Sequence, residues 1–143
     1  MNILIIHPLI QLTAIVVICF TAYFGFQRVR SLHFGAKVKF KRNLHAALGA
    51  TGLITILMGL AGGLIMVARV LDKQPFSSLH GKGGMVLLPF ILAGIFSGFY
   101  LYVYPPRTKA LSVIHGLNNL IILVLILFQI ITGIPLALTV LAG

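Results

Sequence analysis

Residues 7–27, HPLIQLTAIVVICFTAYFGFQ, run for 21 residues without a Lys, Arg, Asp or Glu. At 1.5 Å per residue such a stretch is about 30 Å long as a helix, the thickness of a bilayer's hydrocarbon core. A histidine opens it, and Gly25 stands near its end. The same layout recurs along the whole chain. Residues 1–27, 43–68, 83–106 and 110–143 are all free of charged side chains. These stretches predict helices at about 4–28, 44–69, 79–103 and 110–139. The expected fold is all-α, with residues 1–143 as one domain: an antiparallel up-down bundle of four transmembrane helices. Pro105-Pro106 separates the third helix from the fourth, and Asp72-Lys73-Gln74-Pro75 the second from the third. Pro89 lies inside the third helix, where it is expected to kink it.

Composition agrees. Of 143 residues 59% are hydrophobic and 8% charged, against about a quarter charged in a soluble domain. A soluble enzyme is therefore excluded. Eleven Lys and Arg face one acid, Asp72, for a formal charge of +10. The hydropathy assigns that charge to membrane-flanking loops and not to nucleic-acid binding. A single acid also rules out paired-carboxylate hydrolysis and carboxylate-built metal sites. A single Cys19 rules out an intrachain disulfide, a Cys-rich metal site and covalent haem attachment through CxxCH.

The basic residues set an orientation. Arg28, Arg30, Lys37, Lys39, Lys41 and Arg42 lie in the first connection and Arg107 and Lys109 in the third, eight in all. The opposite side has Arg69, Lys73 and Lys82, three. The excess places the first and third connections in the cytoplasm and both termini on the non-cytoplasmic side. Met1-Asn2-Ile3-Leu4 is expected to start a retained span, since the N-terminus shows no basic region and no small-residue cleavage site after a short apolar core. The expected location is a bacterial inner membrane or a photosynthetic membrane.

Four of the five histidines fall at helix starts: His7, His45, His80 and His115, spaced 38, 35 and 35 residues apart. Because alternate helices run oppositely, His7 and His80 share the level near the termini, and His45 and His115 the level near the basic loops. Helices one and three are diagonal partners, as are two and four. Each level thus holds two imidazoles facing across the bundle axis, which suits bis-histidine ligation of one haem per level. Eighteen residues after each histidine comes a glycine: Gly25, Gly63, Gly98 and Gly133. Eighteen residues is five turns, so histidine and glycine share a face about 27 Å apart. A bare backbone there would let a porphyrin approach. Glycine pairs such as Gly59/Gly63 and Gly94/Gly98 also read as plain helix-packing motifs. A histidine at a membrane boundary also reads as a simple interfacial residue; the joint pattern favours ligation.

Two haems would bring four propionates. Lys82 and Arg69 are placed for those near the termini, and Lys41, Arg42, Arg107 or Lys109 for those near the basic loops, with snorkelling to headgroups as the competing reading. His33 reads as a solvated loop residue, and Met58, Met66 and Met85 as packing.

One histidine on each of four consecutive helices, paired one-with-three and two-with-four, resembles the core of the cytochrome b561 family. The matching positions are His7, His45, His80 and His115, with Ala46, Gly81 and Gly116 following three of them. The resemblance spans nearly the whole chain. It implies a four-helix core, two non-covalent b haems (iron) and electron transfer across the membrane, as a cytochrome or as the membrane subunit of an oxidoreductase complex. Family donors are ascorbate or quinol, and acceptors include ferric iron or monodehydroascorbate. In eukaryotic members two further helices flank the core; the four spans read here do not include them. A quinone near the cytoplasmic haem would have Asn118, Asn119 or Arg107 as hydrogen-bond partners, and membrane lipid and other redox subunits are the further partners expected. The alternative is a chlorophyll-binding or assembly subunit of a photosynthetic complex, which predicts histidines facing outward. A cofactor-free transporter or anchor ranks last, because the membrane-depth residues are nearly all apolar.

Overall fold

A computed structural model describes residues 5–71, 74, 76–104 and 109–142. It contains four helices: α1 (Ile6–His33), α2 (Arg42–Arg69), α3 (Leu79–Val103) and α4 (Ala110–Ala142). No strand occurs among the described residues. Each helix carries a span of 25 to 30 residues long and apolar enough to cross a membrane. The chain is an integral, multi-pass membrane protein.

Helix ends follow local chemistry. α3 starts on Ser78, whose hydroxyl accepts from the Gly81 N–H at 3.0 Å and satisfies an orphan donor of the first turn. α1 runs five residues past its expected end, through Arg28 and Arg30 to His33. Charge alone does not stop a helix, and Arg and Leu are good helix formers. The stop comes at Gly35, whose φ of 62° lets the Ala36 N–H turn back to the Arg30 carbonyl at 3.2 Å. His33 is thus the last residue of α1 and not a loop residue. α2 begins two residues early, at Arg42, and α4 continues three residues beyond 139. α3 is continuous through Pro89, and α4 through Pro135. The expected breaks at Asp72-Lys73, Pro75 and Pro105-Pro106 lie outside the described residues.

α1 packs most extensively on α2, and α3 on α4, so the bundle is built from two helical hairpins. α2 and α3 join the hairpins, whereas α1 and α4 barely touch. Eight buried apolar residues form the core: Ala14, Ile18, Leu53, Ile56, Leu87, Ile91, Ile122 and Ile126. Their register is regular. Ala14 and Ile18 follow His7 by 7 and 11 residues, as Leu87 and Ile91 follow His80. Ile56 and Ile126 precede Gly63 and Gly133 by 7, and Leu53 and Ile122 precede them by 10 and 11. Helical rise stacks these into two layers of four, about 10 and 16 Å in from the His7/His80 level. An apolar plug therefore separates the two histidine levels, and among the described residues no buried polar or charged side chain interrupts it. Large apolar side chains such as Phe20, Phe96 and Leu138 point outward. In lipid these gain nothing from burial, so the bundle is held by packing and interhelical hydrogen bonds.

Candidate haem-binding centres

The fold brings the four histidines together in two pairs. The His7 and His80 rings have centroids 6.1 Å apart and planes at 84°. The His45 and His115 rings are 6.4 Å apart, also at 84°. All four are partly buried between helices and meet inside the bundle, the opposite of the outward orientation a chlorophyll ligand would require. Each pair joins diagonal helices, α1 with α3 and α2 with α4.

In each helical hairpin, each histidine rests on a glycine of the other helix. A Cβ built on Gly63 would lie 2.8 Å from His7 Cε1, and one on Gly133 2.9 Å from His80 Cε1. On Gly25 it would lie 3.2 Å from His45 Cε1, and on Gly98 3.2 Å from His115 Cε1. The eighteen-residue offset thus has a concrete basis. Every helix offers a ring at one level and, at the other, the bare backbone on which its hairpin neighbour's ring lies.

A second consequence of the missing Cβ concerns hydrogen bonding. In a helix the side chain of residue i+4 leans back over the carbonyl of residue i. A glycine at i+4 uncovers that carbonyl. Gly59 precedes Gly63 by four, and its carbonyl accepts from His7 Nδ1 at 2.9 Å. Thr21 precedes Gly25 by four, and its carbonyl accepts from His45 Nδ1 at 3.1 Å. In the second hairpin the same register sets the Gln129 carbonyl, four residues before Gly133, beside His80, and a hydroxyl approaches each ring. Ser97 Oγ lies 2.8 Å from His115 Nδ1, and Thr132 Oγ1 3.4 Å from His80 Nδ1. Ser97 donates its own hydrogen to the Ala93 carbonyl at 2.5 Å, and Thr132 to the Phe128 carbonyl at 2.9 Å. Both hydroxyls are therefore free to accept from the ring. These contacts fit the Nδ1–H tautomer in all four rings and leave Nε2 as the ligating nitrogen, which in His115 is engaged here by the Asn119 amide at 3.1 Å.

The pairs fit an axial role. Two imidazoles on one iron, with metal–nitrogen bonds of about 2.0 Å, have ring centres about 6 Å apart, close to both observed separations. Among the described residues no three His, Cys, Asp or Glu gather into a metal-holding cluster. Two-ligand sites suit a metal whose remaining ligands come from a macrocycle. Near the termini, Gln129 lies one turn from Gly133 and packs on Gly83, with Oε1 and Nε2 buried and without a hydrogen-bond partner. A buried amide in that condition marks a level built to receive a further group. An open cavity of about 400 Å³ lies beside His80, lined by Ser78, Leu79, Thr132, Pro135, Leu136 and Thr139.

The other candidates are distributed as follows. Arg42 reaches across to α3, donating to the Leu101 and Tyr102 carbonyls at 3.1 and 2.6 Å, where its charge complements a helix C-terminus. Lys41 lies over the Phe24 ring at 5.9 Å. Lys82 and Arg69 are exposed at the termini end, and Lys109 at the basic-loop end; Arg107 lies outside the described residues. Asn118 donates to the Phe90 carbonyl at 3.0 Å, and Asn119 to the His115 carbonyl at 2.7 Å and to His115 Nε2 at 3.1 Å. Both amides are thus engaged with the bundle. Ser97, Gln129 and Thr132 were missed from sequence. Two of them carry a legible signal, a hydroxyl residue directly before a level glycine, in Ser97-Gly98 and Thr132-Gly133.

Comparison with known proteins agrees with this geometry. No curated protein and no solved structure matches the chain. The model of the eukaryotic cytochrome b561 family matches residues 6–140, a segment that takes in all four spans and all four paired histidines. The chain therefore belongs to the cytochrome b561 family, whose members transfer electrons across membranes through b-type haem.

Proposed function

We propose that this chain holds two b haems in series, one between His7 and His80 and one between His45 and His115, and carries electrons between the two membrane faces. The observation that carries this reading is the matched pair of facing imidazoles, 6.1 and 6.4 Å apart, one pair at each level. When bound, such haems supply reversible one-electron chemistry at iron.

The protein's part is to bind, orient and insulate. The Gly59, Thr21 and Gln129 carbonyls and the Ser97 and Thr132 hydroxyls hold the four rings in place. The glycines Gly25, Gly63, Gly98 and Gly133 leave room for the rings on neighbouring helices. The two apolar layers between the levels keep water and ions out while leaving the sites about 27 Å apart along the helices. Lys82 and Arg69 on one side, and Lys109 with Arg107 on the other, are the cations available to propionates. Arg42, assigned that task from sequence, also donates through Nη2 to the end of α3. Service as the membrane subunit of a larger redox complex, with a quinone or protein carrier as partner, is compatible with this role.

The test is a pair of single substitutions. His80→Ala and His45→Ala should each remove one b haem and leave the other with its spectrum unchanged, because the variants strike different levels. A variant that keeps both haems, or loses both while the chain stays folded, refutes the pairing.

A further inference from the structure

The two hairpins hold their histidines differently. In the α1–α2 hairpin both rings donate to backbone carbonyls, Gly59 and Thr21. In the α3–α4 hairpin both rings meet a hydroxyl, Ser97 for His115 and Thr132 for His80, and His80 has the Gln129 carbonyl beside it as well. The His45/His115 pair therefore combines one ring on a backbone acceptor with one on a side-chain acceptor, whereas in the His7/His80 pair both rings have a backbone carbonyl beside them and Thr132 adds a second contact to His80. The hydroxyl residue stands in both cases immediately before the glycine on which the ring rests.

This difference has a chemical meaning. The acceptor on Nδ1–H sets how much electron density the imidazole offers through Nε2. A stronger acceptor makes a more basic ligand, which favours the ferric over the ferrous state and lowers the potential. A helix carbonyl is fixed by the fold, whereas a hydroxyl can be changed by substitution without moving the backbone. Ser97 is well placed to act in this way. Its donation to the Ala93 carbonyl at 2.5 Å polarises the oxygen that accepts from His115 at 2.8 Å. The Thr132 contact is longer, at 3.4 Å, and the oxygen is held by the Phe128 carbonyl.

Resting on the two-haem reading, we infer that Ser97 and Thr132 are positioning residues that set the two haem potentials separately, Ser97 through His115 and Thr132 through His80. Electron flow between the levels is thereby adjusted by two hydroxyls, each addressing one level.

The experiment is a spectroelectrochemical redox titration of the detergent-purified chain, with haem counted per protein in every sample. Wild type is fitted by two components. Ser97→Ala removes the acceptor, weakens His115 as a donor and should shift one component to more positive potential while the other stays. Thr132→Ala should shift the other component, by less, because its contact is longer and the Gln129 carbonyl remains beside the ring. Ser97→Thr keeps the hydroxyl and should leave the wild-type curve nearly unchanged. The proposal is overturned if Ser97→Ala and Thr132→Ala move the same component, if either moves both together, or if neither moves any. A shift in Ser97→Thr as large as in Ser97→Ala, or loss of a haem from Ser97→Ala that Ser97→Thr does not restore, makes the residue merely structural and also overturns it. A wild-type chain with fewer than two haems defeats the two-haem reading itself; two wild-type haems with unmoved potentials defeat this inference alone.

Discussion

Replacing Gly63 with alanine would place a methyl carbon 2.8 Å from His7 Cε1 and 3.0 Å from His7 Nδ1. Carbon atoms in contact sit at about 3.5–4.0 Å, so the ring or the α2 backbone must give way by about 0.7 Å. The ring is not free to do so, because Nδ1 is bonded to the Gly59 carbonyl at 2.9 Å. A displacement of about 0.7 Å stretches that bond to about 3.6 Å, beyond useful range. The lost hydrogen bond costs about 1 kcal/mol and the overpacking about 1–3 kcal/mol. The higher helix propensity of alanine offsets up to about 1 kcal/mol. The net penalty is about 1–3 kcal/mol, or roughly five- to 150-fold in haem retention at the His7/His80 level. Gly25 provides the internal control. Its added Cβ would stand 3.2 Å from His45 Cε1 and 3.7 Å from Nδ1, so a yield of about 0.3 Å suffices. There the propensity gain nearly cancels the strain, and retention should change less than threefold, about 0.6 kcal/mol. Haem loss to an excess of a scavenging apoprotein, followed in both variants, measures the difference. The reasoning is refuted if Gly63→Ala holds haem like wild type, or if Gly25→Ala is equally damaging.

Two further predictions concern the scaffold. Ile91, fully buried between the histidine levels, should cost about 2–4 kcal/mol when truncated to alanine, seen as a lower midpoint in denaturant titration with an unchanged haem spectrum; a shifted spectrum would show that the plug is not independent of the sites. Ser78→Ala removes the cap of α3 and should destabilise by about 1 kcal/mol in the same titration, with Ser78→Asp close to wild type.

Much of this arrangement was readable in the residues because membrane physics simplifies them. Charge-free runs of bilayer length mark the spans, and their connections bound α3 at Leu79 and Val103 as expected. The miss at the end of α1 has a simple cause. Basic side chains at Arg28 and Arg30 mark where the membrane ends, whereas the helix ends where Gly35 adopts positive φ. The shared face of histidine and glycine was visible as an eighteen-residue offset. Its purpose was only half visible, because a glycine's effect on the carbonyl four residues earlier depends on which neighbouring helix turns a ring toward it. Side-chain bonds across helices, such as Ser97 to His115 or Arg42 to the end of α3, depend on helix rotation and depth, which composition does not encode. The same holds for Gln129, whose buried amide is an isolated polar residue in the sequence and a feature of the termini level in the fold.

The measurement that bears most directly on the account is the number of haems per chain in the purified wild-type protein, from a pyridine haemochrome assay against quantitative protein analysis. Two facing imidazole pairs, at 6.1 and 6.4 Å, lead to two b haems per chain. A firm value of one would leave one pair without the role assigned to it, and a value of zero would contradict the electron-transfer account as a whole.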